Sequence, residues 1–235
     1  MKIIIHLFST ILIILTLILS FKSDAMAHLP LDTSGSASKK DPIFVEDHLI
    51  SWAAYNQLEN AGDVDYYSFK AEQGEEIYFS MVIPVIDRYQ DFKPDLALIG
   101  PALENDYAGY NPDYINSILK LESDENIIIV RDDNDNPDTF FEPFTRTSYW
   151  KRQEFSTAAP AAGTYYLAVF SGDENPGKYT LAIGRKEIWA LKDIIKLPKI
   201  VWDTRIFVEK KNSTYLVSAL IILITSFIVY KFIFK

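Results

Sequence analysis

Gly163-Thr164-Tyr165-Tyr166-Leu167-Ala168-Val169-Phe170 decides the fold class. Tyr165, Leu167 and Val169 alternate with Tyr166, Ala168 and Phe170, a period of two that puts successive side chains on opposite faces of a strand. The same rhythm recurs at Ile50-Trp52-Ala54, Tyr67-Phe69, Ile77-Phe79-Met81-Ile83, Leu96-Leu98 and Tyr179-Leu181-Ile183. Ile127 to Val130 is a continuous apolar run, the pattern of a strand buried on both faces. Gly, Pro, Asp and Asn punctuate these runs, and no helical period separates them. The expectation is an all-β, jelly-roll-like β-sandwich over residues 43–184.

The rest of the chain is organised around that unit. Ile3 to Phe21 is almost wholly apolar, follows Lys2, and precedes Ala25 and Ala27 at small-residue spacing. Residues 1–27 therefore read as a secretory signal, either cleaved or kept as an anchor. Residues 28–42, rich in Ser with Gly35, read as a flexible arm. Ile188, Leu191, Ile194, Ile195 and Leu197 recur at helical spacing up to Pro198, which is expected to end the pattern. Residues 185–211 thus form an amphipathic juxtamembrane segment, either packed on the sandwich or lying in the membrane interface. Tyr215 to Tyr230 is apolar and lacks acidic residues, with Lys210, Lys211 and Lys231 around it. Residues 212–232 are expected to span a bilayer, leaving 233–235 as a cytoplasmic tail.

Composition excludes several functions. The 235 residues contain no cysteine, so disulfides, thiolate metal sites and cysteine nucleophiles are absent. The net charge is −9, with 32 acidic against 23 basic residues. That balance opposes nucleic-acid binding, which needs a basic face. No G-x-S-x-G, H-E-x-x-H, P-loop or dinucleotide fingerprint occurs. Outside the first 27 residues only His28 and His48 are left as imidazole bases. The chain is expected not to be an enzyme; an unrecognised hydrolase using paired carboxylates is the alternative that counting leaves open.

Asp65-Tyr66-Tyr67-Ser68-Phe69, Glu72-Gln73-Gly74-Glu75, Asp95-Leu96-Ala97-Leu98, Gly163-Thr164-Tyr165-Tyr166 and Gly177-Lys178-Tyr179-Thr180-Leu181 stand in this order. In that order they resemble the bacterial pre-peptidase C-terminal domain family, over roughly residues 45–184. The resemblance implies a small β-sandwich, and members that are binding or targeting modules, some using calcium. The chain departs from that pattern by a long insertion at about 103–155 and by having no peptidase ahead of the domain.

Three groups of residues carry candidate chemistry. Phe141, Glu142, Phe144, Arg146, Tyr149 and Trp150 lie in an aromatic-rich stretch suited to recognising a partner protein or glycan. The same rings would alternatively plug one end of the sandwich. Asp132, Asp133, Asp135 and Asp138 offer hard oxygens, and calcium is the ion they would take. The missing Gly and Glu exclude an EF-hand, and a solvated Asp/Asn turn is the other reading. His28, if it became the mature N-terminus, would offer an amine and an imidazole to copper, with His48 as a third nitrogen. The expected function is a non-catalytic, extracytoplasmic binding or accessory module in the cell membrane. A calcium- or copper-binding protein is the alternative.

Overall fold

The computed structural model describes residues 28–233 except Ser36, Ala61, Asp133, Phe144, Asp173, Glu174 and Trp189. The signal reading of residues 1–27, and residues 234 and 235 of the expected tail, lie outside the described residues. Among the described residues eleven strands form two sheets: β1 (Leu29–Pro30), β2 (Ile43–Phe44), β3 (Trp52–Leu58), β4 (Val64–Ala71), β5 (Glu76–Pro84), β6 (Asp95–Gly100), β7 (Asn126–Val130), β8 (Thr139–Glu142), β9 (Thr147–Ala158), β10 (Gly163–Phe170) and β11 (Gly177–Ile183). One sheet has the order β1-β3-β11-β5-β9-β8 and the other β2-β4-β10-β6-β7. Pairing is antiparallel except for β1 with β3 and β2 with β4.

The two faces of β10 show why its sequence is apolar throughout. Tyr165, Leu167 and Val169 enter the main core between the sheets, with Phe69, Phe79, Leu98 and Leu181. Tyr166, Ala168 and Phe170 point outward into a second apolar cluster with Ile99, Ile127, Ile129, Ile115 and Leu119. Ile127 and Ile129 belong to that second cluster, while Ile128 and Val130 pack against the first. The run Ile127 to Val130 is therefore buried on both faces, as its composition requires.

A helix covers the outer face of the five-stranded sheet. It is α1 (Pro112–Leu119), with Pro112 in its first turn and Asn111 as N-cap, accepting from the Asp113 amide at 2.8 Å. The Tyr66 hydroxyl donates to the Leu119 carbonyl at 2.8 Å. No helix was expected here, because eight residues give too short a period to stand out. Residues 103–155 also differ from an appended insertion. They supply β7, β8 and most of β9, which pair with β6 and β5 as full members of the sheets.

The arm is likewise ordered against the sandwich. The Leu29 and Leu31 amides donate to the Ser51 and Ala53 carbonyls, both at 2.8 Å, so β1 covers the free edge of β3. An open strand edge offers unpaired backbone groups, and this segment satisfies them despite its Ser-rich continuation.

Two helices follow the sandwich, α2 (Leu191–Phe207) and α3 (Lys211–Ile233). Pro198 lies inside α2 instead of ending it. A proline there forfeits one backbone hydrogen bond. The stretch after it is held by the sandwich: the Phe207 ring meets Tyr55 edge-on at 5.6 Å, and Thr204 and Val208 are buried. Tyr55 and Lys178 sit on the outer face of the six-stranded sheet, opposite the core-facing Ala54 and Tyr179. Each sheet is thus backed by a helix. In contrast to α1 and α2, α3 is exposed from Tyr215 to Lys231 apart from the half-buried Ser218, and is long and apolar enough to cross a membrane.

Candidate functional site

The aromatic stretch divides between structure and surface. Trp150 pairs with Ile83 and packs on the main core, so its neighbour Tyr149 faces the other way. Tyr149 is only 3% exposed, and Phe140 stacks on it at 5.5 Å. The Glu142 carboxylate accepts from the amide of Thr145 at 2.6 Å and from its hydroxyl, closing the β8–β9 turn. Arg146 stands exposed beyond it in a left-handed conformation, φ 56°. Phe141 is 56% exposed on β8, the last strand of its sheet. Phe144 lies outside the described residues. Phe141 and Arg146 are therefore available to a partner, whereas Tyr149 and Trp150 are packed. Tyr149→Ala is expected to cost about 3–5 kcal/mol of stability in urea unfolding, the range for a buried ring. A cost below about 1 kcal/mol would show that the ring is not part of the packing.

The acidic loop is built around an arginine that its own sequence does not contain. Arg152 on β9 has a side chain only 1% exposed. Its guanidinium meets the Asp132 carboxylate at 3.4 Å and donates to the carbonyls of Asn134 and Gln90, each at 3.2 Å. Asp135 pairs with Lys93. The side chains of Asp132 and Asn134 accept from the amides of Asn134 and Asn136 at 2.9 Å, so the loop is a pair of consecutive Asx turns. The exposed Asp138 gives its carbonyl to the Lys151 amide at 2.8 Å. Asp133 lies outside the described residues. Among the described residues no group of three His, Asp or Glu side chains is placed to hold a metal.

The two histidines make separate contacts. Nδ1 of His28 lies 2.6 Å from the Ser51 hydroxyl, and burial lowers the imidazole pKa against the opposing pull of Glu187 and Glu142. His48 is buried and stacks on Phe69 at 4.9 Å. Its Nε2 is 3.9 Å from a Glu75 carboxylate oxygen and makes no hydrogen bond.

The strongest convergence of charge lies where the sandwich meets the C-terminal helices. Between α2 and α3 the chain turns through Glu209, φ 63°. The Glu209 carboxylate is held by Arg88, from the 3₁₀ turn Asp87–Tyr89, and by Lys178 of β11 at 2.9 Å. Lys178 also donates to the Phe207 carbonyl at 2.8 Å. The hydrogen bond from Arg88, with the help of Lys178, pulls the Glu209 carboxyl down to about 2. Arg205 completes the clamp: it donates to the Thr145 carbonyl at 2.7 Å, the Thr214 hydroxyl at 2.9 Å and the Ser213 hydroxyl at 2.8 Å. One side chain thus joins the β8–β9 turn, α2 and the first turn of α3. Beside it opens a cleft of about 590 Å³, lined by Gln57, Arg88, Asp91, Asn175, Lys178 and Glu209. None of Arg88, Lys178, Arg205 and Glu209 stands out in the sequence, since each lies in an unremarkable local context and only the fold brings them together.

No protein-family model matches the chain, and no curated relative matches it. Solved structures similar to it include the periplasmic g-type lysozyme inhibitor PliG of Salmonella Typhimurium, at 18% identity and a TM-score of 0.32, covering 61% of this chain and 96% of that one. Another is the pre-peptidase C-terminal domain of a Bacillus anthracis collagenase, at 12% identity and a TM-score of 0.30, covering 64% and 97%. A third is CorA, a surface-associated copper-binding protein of Methylomicrobium album BG8, at 8% identity and a TM-score of 0.29, covering 69% and 99%. A likeness to the family that the sequence resembles is thus present at low identity. The sandwich itself stands on the strand pairing, and none of these likenesses assigns a ligand.

Proposed function

We propose that this chain is a single-pass, extracytoplasmic binding module without catalytic activity. In this reading the segment ahead of His28 exports it, α3 anchors it in the cell membrane, and the jelly-roll-like sandwich presents a recognition surface to a partner protein. The observation that carries the reading is α3: the consecutive Ile221, Ile222, Leu223 and Ile224, which point to every side of one 23-residue helix, are 56%, 63%, 66% and 58% exposed. Such a helix is about 35 Å long. Nothing in the sandwich covers it, and a bilayer is the solvent that an all-round apolar helix requires. Lys210 and Lys211 at its start and Lys231 near its end suit the two headgroup layers. The recognition surface is supported by the exposed Phe141 on the outermost strand β8, whose free edge can accept a partner strand. The acidic balance of the sandwich favours a basic partner.

Ending the chain after Lys210 is expected to move it from the membrane pellet to the soluble fraction with the sandwich still folded. Retention in the pellet would refute the anchor. A photo-crosslinker at position 141 in intact membranes is expected to give one discrete protein adduct, and the same group at Lys120 none. Absence of an adduct at 141 would remove β8 as the recognition surface.

A further inference from the structure

Helix α2 has two apolar faces, and the sandwich uses one of them. Thr204 and Val208 are buried against the six-stranded sheet at 3% and 5% exposure, with Leu197, Ile200 and Val201 partly covered on the same side. Ile194, Ile195 and Trp202 are 53%, 77% and 37% exposed, and Pro198 is exposed between them. Steps of three and four residues link Ile194 and Ile195 to Pro198 and Pro198 to Trp202, so these side chains form one stripe along the helix. The stripe runs on into α3, because the Trp202 ring packs against Tyr215 at 5.7 Å. Charge reverses at the same place. Residues 28–190 carry 13 basic against 28 acidic groups, and residues 191–211 carry six against three. Lys196, Lys199, Lys210 and Lys211 are all exposed.

From this stripe and its lysines we infer that α2 lies in the headgroup–acyl boundary of an anionic bilayer. Ile194, Ile195, Pro198 and Trp202 enter the apolar side, and the lysines meet lipid phosphates. The inference rests on the membrane-anchored reading above and adds a second contact with the same bilayer. Its consequence is orientation. Since the other apolar face of α2, about 120° around the helix from that stripe, is clamped to the six-stranded sheet, and Arg205 and Glu209 tie that sheet to the start of α3, the sandwich cannot swing freely on its anchor. The six-stranded sheet is held obliquely on the lipid side of the sandwich, and the α1-covered sheet faces the aqueous phase.

The test uses the full chain, whose lack of cysteine makes single labelling clean. Ile195→Cys and Ile222→Cys variants, each carrying an environment-sensitive fluorophore, are reconstituted in phosphatidylcholine vesicles containing a minority of phosphatidylglycerol. Shallow spin-labelled lipids are expected to quench the label at 195 severalfold more than an aqueous quencher does, and deep ones to quench the label at 222. A label at 195 that only the aqueous quencher reaches, with 222 still in lipid, overturns the inference and leaves the anchor intact. Both labels in water would overturn the anchor and the inference together. Equal lipid quenching at 195 in phosphatidylcholine alone would overturn the assignment to an anionic surface.

Discussion

Gly184→Ala is expected to lower the unfolding free energy by about 3–5 kcal/mol, a large share of the roughly 5–15 kcal/mol by which folded domains are stable. Gly184 follows β11 with φ +73°, a conformation that side-chain-bearing residues rarely adopt. A methyl group there would fall 2.2 Å from the Ile50 carbonyl oxygen and 2.5 Å from that of His48. Both obstacles are backbone, and both are fixed. The Gly184 amide donates to Tyr78 at 3.0 Å, while the next two amides donate to Leu49 at 3.1 and 2.8 Å. Gly74 supplies the control. It has φ +86° but open space around its missing Cβ, so Gly74→Ala should cost only about 1 kcal/mol. Urea unfolding of the two variants checks the contrast, and equal costs would show that the close approach of Gly184 to the Leu49 segment is not rigid.

The second large effect lies in a chain of hydroxyls that crosses the core. Tyr67 on one sheet and Tyr179 on the other are fully buried, and their hydroxyl oxygens are 2.8 Å apart. Tyr179 also donates to the Asp65 carboxylate at 2.6 Å. Burial raises the Asp65 pKa to about 6, the Tyr179 bond opposes the rise, and Asp63 and Glu59 add to it. The sign of the pH effect follows. Below the ordinary carboxyl value both folded and unfolded states are protonated. As pH rises toward 6 the unfolded chain ionises first, so stability falls across that window and levels above it. The fall attributable to Asp65 is at most about 3 kcal/mol. Asp65→Asn should remove it, and the difference between the two unfolding profiles isolates it from Glu209, whose lowered pKa acts in the opposite sense below pH 4. A flat difference from pH 4 to 6 would show that Asp65 ionises as freely folded as unfolded. Tyr179→Phe should cost about 2–4 kcal/mol, since it leaves both Tyr67 and a mostly buried carboxyl short of a partner.

The junction gives the two ends of the molecule a common mechanical logic. Arg205, Lys178, Arg88 and Glu209 tie the sandwich to α3 through charge-assisted hydrogen bonds at a site partly open to water.

Much of the architecture was legible because periodicity is a local property. The alternation of β10 and β11, the doubly buried run in β7 and the apolar stretch of α3 each report their surroundings within a few residues. The arm at 28–42 and the proline in α2 misled for one reason. Ser and Pro describe what a segment prefers alone, and here a neighbouring sheet supplied hydrogen bonds or packing that outweighed the preference. The acidic loop kept its turn chemistry but acquired a partner, Arg152, from the next strand. The aromatic stretch is contiguous in sequence, but the period of two in β9 sends Tyr149 and Trp150 to opposite faces.

By itself the amino-acid order determined that the chain builds extended layers and ends in a helix that water does not favour. Those outcomes follow from side-chain polarity at fixed short spacings. Only the tertiary structure decided which charges meet. Thr145 and Arg205 are 60 positions apart, Asp65 and Tyr179 are 114 apart, and Arg88 and Glu209 are 121 apart. No short-range pattern encodes such a meeting. It arises when strands with independently apolar faces stack and carry their polar neighbours to a common edge, where a carboxylate is either neutralised by a cation or made harder to ionise by burial.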